Sequence, residues 1–371
     1  MNCICSQKDF KDALIAASKA LPAKAQTPIL SGILITAKNN EIEIQATDFS
    51  LGIIAKIPAE IENEGAVVVN GKYITEIISK LAGDIVTIST EEGSNLVNFK
   101  SEAATFSLYL MDAEDFPKVN RQEFNHSFFI RNNVLKKLIV RSTFASSTDD
   151  SRPVFQGCSV TIENNTISFV ATNTHRLVVA KAEIEDNIPG ENKFIVPAKT
   201  LNDLLSIINS TQNDNGVKVE FSDKHIAFTV NNIFITCRLI DGQFPPHEKV
   251  IPASCETFAE VDISEFRAAI NRVEIISKQT EYNTVHLSFS NEGLELSSDS
   301  YETGKVVEHI NAAVEGADVE IAFNLKYIQD FLKIFGGNDE VRIGMNDKLS
   351  PADFRLTDEE DFIYIVTPVR T

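Results

Sequence analysis

The chain has 371 residues, 43% of them hydrophobic and 8% aromatic, enough apolar material for two or three packed domains. Its 34 basic residues are outnumbered by 53 acidic ones, a net charge of −19 that argues against a phosphate grip over its whole surface. No apolar run approaches the roughly 20 residues that span a bilayer. The opening MNCICSQKDFKDAL places charge where a signal peptide needs its apolar region, so a cytosolic protein without a membrane partner is expected. Five scattered cysteines, without metal-ligand spacing, read as structural thiols.

In chain order, the apolar periodicity predicts an opening helix over 9–21, then alternating strands such as EIEIQAT (41–47). A strand, a short turn and an amphipathic helix follow in VVVNGKYITEIISKL (67–81). The same order returns with a helix over 133–145, strands such as TISFVAT, the segment FIVPAKTLNDLLSII (194–208), and the strands KVEFS and HIAFTV. It returns again with a helix over 264–277, capped by Asp262 or Ser264, and the segment IAFNLKYIQDFLKIF (321–335). Proline and charge interrupt the pattern near 118–128 and 246–260.

These are three copies of one module. Lys72, Lys199 and Lys326 lie 127 residues apart, and apolar helix positions keep the same register: Ile74/Leu201/Ile328, Ile77/Leu204/Phe331, Ile78/Leu205/Leu332 and Leu81/Ile208/Phe335. An acid one turn after each lysine repeats too, as Glu76, Asp203 and Asp330. The turns in IQATDFSLGI, FVATNTHRLV and LELSSDSYET place Asp48, Asn173 and Asp299 at equivalent points, where Asx geometry is expected. Such a period is the size of a domain, longer than any solenoid repeat. The expected fold is α+β, with modules over 1–122, 123–253 and 254–371, each with two helices packed on antiparallel sheet.

Charge is distributed unevenly. The six predicted helices hold 15 basic and 8 acidic residues, +7, which leaves −26 on the rest of the chain. The helix over 131–146 is the most polarised, with Arg131, Lys136, Lys137 and Arg141 and no acid of its own. Helices facing one way would make a basic surface on an acidic body that repels nucleic acid from every other approach. No Gly-x-Ser-x-Gly elbow, P-loop or His-Glu-x-x-His is present, and nothing implies a cofactor or metal. The enzymatic alternative, a hydrolase, would have to use His175 and Arg176.

ATNTHRLVVA (171–180), LIDGQFPPHEKVIP (239–252), TPILSGILI (27–35) and the terminal YIVTPVRT together resemble the bacterial β sliding clamp family, over all three modules. The resemblance implies a non-catalytic processivity factor for the replicative DNA polymerase: a head-to-tail homodimer closed into a ring of six modules around double-stranded DNA, with helices lining the hole. Its partners would be DNA held without sequence preference, the replicative polymerase, the clamp loader, and other polymerases and repair proteins that carry clamp-binding motifs. It would work in the cytoplasm, at the nucleoid. A paralogue specialised for repair or drug resistance would look alike.

By similarity the DNA contacts are Lys24, Arg152 and Lys199, and the repeat adds Lys72, Lys136, Lys137, Arg141 and Lys326. Pro153 and Val154 stand where relatives often carry aromatic residues. The family's partner-peptide pocket maps to Phe155, Thr172, Thr174, His175, Arg176 and Leu177, then Pro245, Lys249 and Val250, then Asn324 and Tyr327. It finishes with Ile365, Val366, Thr367, Pro368, Val369 and Arg370. Apolar peptide side chains are expected between Leu177, Pro245, Val250 and Val366, with Arg176 and Arg370 as polar anchors. Thr174 replaces a common glycine, and Thr367 a residue that can be larger and apolar. For the ring joint the resemblance points to Phe106 and Leu108 meeting Ile275 and Ile276 of a second copy.

Overall fold

The computed structural model describes residues 1–211, 216–337, 339–357 and 359–370; Thr371, the last residue of the terminal motif, lies outside them. Six α-helices form among these residues: α1 (Gln7–Ser18), α2 (Gly71–Lys80), α3 (Asn132–Ser142), α4 (Ala198–Ser210), α5 (Ile263–Ser277) and α6 (Leu325–Leu332). Side-chain oxygens cap α1, α2, α5 and α6. Ser6 accepts from the Asp9 amide, Asn70 from Tyr73 and Asn324 from Lys326, and Asp262 rather than Ser264 caps α5 through the Glu265 amide at 2.8 Å.

The repeated apolar stripes turn inward except at Ile77 and Leu205, which are half-buried. Ile74 and Ile78, Leu201, Leu204 and Ile208, and Ile328, Phe331 and Leu332 are fully buried. Three helices stop early. α1 closes at Ser18, three residues short of the expected 21. α3 closes at Ser142, whose hydroxyl donates to the Leu138 carbonyl, and tightens into a 3-10 turn over Thr143–Ala145. α6 ends at Leu332, although Phe335 still packs on Phe331 at 5.0 Å. The lysine-acid pairs form in α4 (Lys199–Asp203, 2.8 Å) and α6 (Lys326–Asp330, 3.1 Å), whereas Glu76 turns forward to Lys80 at 2.6 Å instead of back to Lys72.

Two compact units result, and they are out of phase with the three repeats. One comprises Met1–Asn133 with Lys199–Leu239, the other Val134–Ala198 with Ile240–Thr371. In the first, a sheet runs in the order Ala104–Tyr109, Leu96–Ser101, Ile85–Thr90, Asn2–Ser6, Leu51–Asn63, Ile233–Arg238, His225–Val230, Val217–Phe221 and His126–Ile130. Three further strands, Gly32–Lys38, Glu41–Thr47 and Gly65–Asn70, branch from it. Central-repeat strands thus continue a first-repeat sheet: Ile233 to Cys237 pair antiparallel with Ala55 to Leu51. Helices α1 and α2 pack on each other, and α1 also lies on the Leu51–Asn63 strand.

The second unit repeats the device. Its larger sheet runs Gly157–Thr172, Arg176–Pro197, Phe362–Val366, Ala352–Leu356, Glu340–Met345, Thr257–Asp262 and Ala313–Glu315. Its smaller one runs Gly304–Ile310, Gly293–Ser300, Thr284–Ser290 and Val319–Asn324. Here Arg176 to Ala180 pair with Val366 to Phe362. Helix α5 lies on the smaller sheet and against α6. An aromatic nucleus fills the interior: the Phe331 ring stacks on Tyr364 at 5.2 Å and meets Phe354 and Phe362. Burial pushes the Tyr364 phenol up, and its hydroxyl donates to the Tyr327 carbonyl at 3.0 Å.

The Asx expectation holds twice. Asp48 accepts from the Ser50 and Leu51 amides, and Asn173 from His175 and Arg176. In both turns the preceding threonine closes a second ring: Thr47 donates to the Leu51 carbonyl and Thr172 to that of Arg176. Asp299 departs from this, because it lies inside the Gly293–Ser300 strand opposite Lys305. All five cysteines are free, and burial pushes the Cys3 and Cys158 thiols up to about 11 and Cys5 to about 12. Among the described residues no helix is long and apolar enough to cross a membrane.

Candidate functional site

The second unit carries a cleft of about 550 Å³, lined by His175, Tyr282, Asn324, Tyr327, Leu349, Pro351, Thr367, Pro368, Val369 and Arg370. One wall begins in the 172–176 turn. Its double ring of side-chain hydrogen bonds holds Thr174 at φ 78° and leaves His175 exposed, stacked on the Tyr327 ring at 6.5 Å and 16°. A left-handed backbone is costly for a β-branched residue and costless for glycine, which accounts physically for the glycine common at this position.

The opposite wall is the chain's end. Past the Phe362–Val366 strand, the Thr367 amide and hydroxyl both donate to the His175 carbonyl, at 2.9 and 3.0 Å. The Val369 amide then donates to the Ala322 carbonyl at 2.8 Å. The tail is therefore pinned between that turn and the Val319–Asn324 strand, and Pro368 further stiffens it. The Thr367 hydroxyl is spent on this backbone anchor.

Arg176, expected as a peptide anchor, lies behind the wall. It is 8% exposed, with Nη1 2.9 Å from Asp330 Oδ2, Nη2 on the Phe144 carbonyl and its guanidinium 4.7 Å from the Tyr327 ring centroid. A buried cation held by a carboxylate and two rings fixes the tyrosine that forms the wall; removing the carboxylate would strand the charge. Arg370 is exposed at the cleft rim.

Other expected pocket residues fall elsewhere. Leu177 and Ile365 are buried in an apolar cluster with Val170, Val179, Ile195, Phe244 and Ile363, and Phe155 packs on its margin. Thr172 and Val366 are buried as well, so neither Leu177 nor Val366 offers a surface to a peptide here. Pro245, Lys249 and Val250 are exposed, on the loop that follows Phe244. Val154, in place of an aromatic residue, packs on that same cluster.

Three lining residues escaped the sequence reading. Tyr282 has φ 60° and is 63% exposed, and Leu349 is 60% exposed beside Pro351. Asp347 presents Leu349 by accepting from the Leu349 and Ser350 amides at 2.7 and 2.8 Å, which holds its carboxyl below the usual carboxylate range. The available signal was a large apolar residue alone in a polar run, in KQTEYNT and in NDKLSP.

The basic residues divide by environment. In the first unit Lys24, Lys72 and Lys199 are exposed, and Lys199 also reaches the Lys19 carbonyl at 3.3 Å. In the second, Lys326 is exposed beside Asp330, and Arg152 lies 3.6 Å from Asp149. Lys136 is half-buried. Lys137 and Arg141 depart from the unopposed charge expected on α3: Lys137 Nζ is 3.2 Å from Glu359, and Arg141 grips the same carboxylate with both nitrogens. Glu359 follows the Ala352–Leu356 strand, and the Arg141 hydrogen bonds hold its carboxyl below the ordinary glutamate value. Arg141 is also 13% exposed, its guanidinium 5.3 and 5.4 Å from the Phe335 and Phe362 rings.

Two outer strands carry exposed apolar residues. Ala104–Tyr109 ends the first unit's sheet, with Phe106 42% exposed and Leu108 half-buried. Gly304–Ile310 ends the second unit's smaller sheet, under α5, whose Ile275 is 71% exposed and Ile276 half-buried.

Comparison with known proteins covers the whole of this arrangement. Residues 1–120, 129–246 and 248–370 match the N-terminal, central and C-terminal domains of the DNA polymerase III beta subunit. The chain is 32% identical to the beta sliding clamp of Staphylococcus epidermidis over 362 residues and to that of Bacillus subtilis over 365, covering 95% of each chain in both cases. A crystal structure of the Bacillus subtilis DNA polymerase sliding clamp aligns over 100% of this chain and 99% of its own, at 30% identity and TM-score 0.93. A Pseudomonas aeruginosa sliding clamp bound to griselimycin aligns over 100% of both chains, at 26% identity and TM-score 0.92. The chain belongs to the DNA polymerase III beta subunit family, the bacterial β sliding clamps, which serve a DNA polymerase as non-catalytic processivity factors.

Proposed function

We propose that two copies of this chain close head to tail into a ring of six modules around duplex DNA, with module boundaries near residues 122 and 253. Through the cleft of the second unit the ring tethers a replicative polymerase, and in turn the clamp loader and other polymerases and repair proteins bearing short clamp-binding motifs, in the cytoplasm at the nucleoid. The observation that carries this reading is the cleft itself. An exposed tyrosine, a stacked histidine-tyrosine pair and a hydrogen-bonded proline tail make a preformed apolar slot with a cationic rim at Arg370, suited to an extended peptide.

The outer strands support the ring. One side of Ala104–Tyr109 and of Gly304–Ile310 lacks a strand partner among the described residues, and unprotected edges beside exposed Phe106 and Ile275 favour pairing with another copy. A heterologous contact of that kind closes when the rotation between copies permits it. Lys24, Lys72, Lys199 and Arg152 would touch phosphates loosely and without sequence preference, leaving retention to topology. The test is a circle. Clamps loaded on a nicked plasmid should persist through gel filtration and be lost after the plasmid is cut once; equal retention on cut and uncut DNA would refute the ring.

A further inference from the structure

We infer that Glu359, itself fixed by Arg141, is a positioning residue that holds Lys137 back from DNA, and so sets how many phosphates the central repeat can contact. This rests on the reading of the helix lysines as the DNA-facing charges. In the second helices of the central and third repeats the acid that pairs with the lysine comes from the same helix: Asp203 for Lys199 and Asp330 for Lys326. Helix α3 has no acid, and its sequence taken alone makes it the most cationic segment of the chain. The structure supplies the missing carboxylate from 222 residues downstream of Lys137.

The two cations are held differently. Arg141 is almost enclosed, flanked by Phe335 and Phe362 and bidentate on the carboxylate, so it is committed to the fold. Lys137 is 52% exposed and takes a single contact at 3.2 Å. Exposed pairs of this kind are weak. Lys137 is thus a cation in reserve, neutralised at no structural cost, and Glu359 competes with any phosphate that approaches it.

Glu359→Gln keeps a hydrogen-bond acceptor for Arg141 while removing the charge that holds Lys137. Anisotropy with a labelled primed duplex across a salt series reads the number of phosphate contacts from the slope of log affinity against log salt. One released lysine should steepen that slope by about 0.9, which amounts to roughly a 3.5-fold larger loss of affinity between about 50 and about 200 mM salt. Lys137→Gln should be silent in the wild-type chain and should cancel the steepening in the Glu359→Gln chain. A slope unchanged by Glu359→Gln, or one already flattened by Lys137→Gln alone, would overturn the inference. Should Glu359→Gln fold poorly, Glu359→Asp keeps a counter-charge for Arg141 while drawing the carboxylate back from Lys137, and a slope that it leaves unchanged would overturn the inference equally. The underlying DNA reading is tested separately: if Lys72→Gln with Lys199→Gln leaves binding unaltered, it is that reading which fails.

Discussion

Thr174 shows how one residue records both the repeat and a departure from it. The turn is built twice, and both times its third residue is left-handed: Phe49 at φ 71° and Thr174 at φ 78°. Neither side chain suits that conformation, and a non-glycine residue held there costs on the order of 1–3 kcal/mol. Thr174→Gly removes the strain, and loses only about 0.5–1 kcal/mol to the greater freedom of the unfolded chain. The turn's hydrogen bonds come from backbone amides and from Thr172 and Asn173, so they survive the change. The expected result is a gain near 1 kcal/mol, seen as a rise in Tm of about 2–4 °C by differential scanning calorimetry. A fall in Tm would mean that the threonine side chain makes a stabilising contact that outweighs its backbone strain.

Among elements, the C-terminal tail does the most for the cleft. It contributes Thr367 to Arg370 to the lining, yet it belongs to no helix or strand and carries none of the helix lysines. Deleting Pro368 onward should therefore leave the circular dichroism spectrum and the oligomeric state intact. Peptides combining a glutamine with aliphatic and aromatic residues should bind the full chain at micromolar strength, roughly −8 kcal/mol, and the truncated chain at least about tenfold more weakly. Equal affinities in titration calorimetry would place the partner site elsewhere.

The helices, their apolar faces and the tail were legible in the sequence because each depends on local periodicity or on a contiguous motif. What was not legible depends on residues distant in sequence. Arg176 looked like an anchor because its motif is short, but Asp330 and Phe144, which bury it, come from other segments. Glu359 was invisible to a charge count made helix by helix. Tyr282 and Leu349 reach the cleft from turns whose sequences carry no period at all.

At the scale of the molecule, a ring requires more than one chain. Light scattering should give twice the 41.0 kDa of the chain. Replacing Ile275 and Ile276 together by alanine should move the equilibrium toward monomer at micromolar concentration, since burying each aliphatic contributes roughly 1.5–3 kcal/mol. A monomeric or trimeric wild-type chain would exclude a six-module ring built from two copies. The −19 charge that first argued against DNA is compatible with such a ring, because a closed circle has no need of a tight grip.

The mismatch between three repeats and two compact units bears on any attempt to dissect the chain genetically. A cut at residue 122 would follow the ancestry of the sequence but would tear the Ile233–Arg238 strand from Leu51–Asn63, and leave both new fragments with a raw hydrogen-bonding edge. The polypeptide passes between the units at 133–134, 198–199 and 239–240, so neither unit is one continuous stretch that a single promoter and stop codon could express. Gene fragments that respect the repeats would be prone to aggregation, because neither repeat boundary coincides with a passage of the polypeptide between the units.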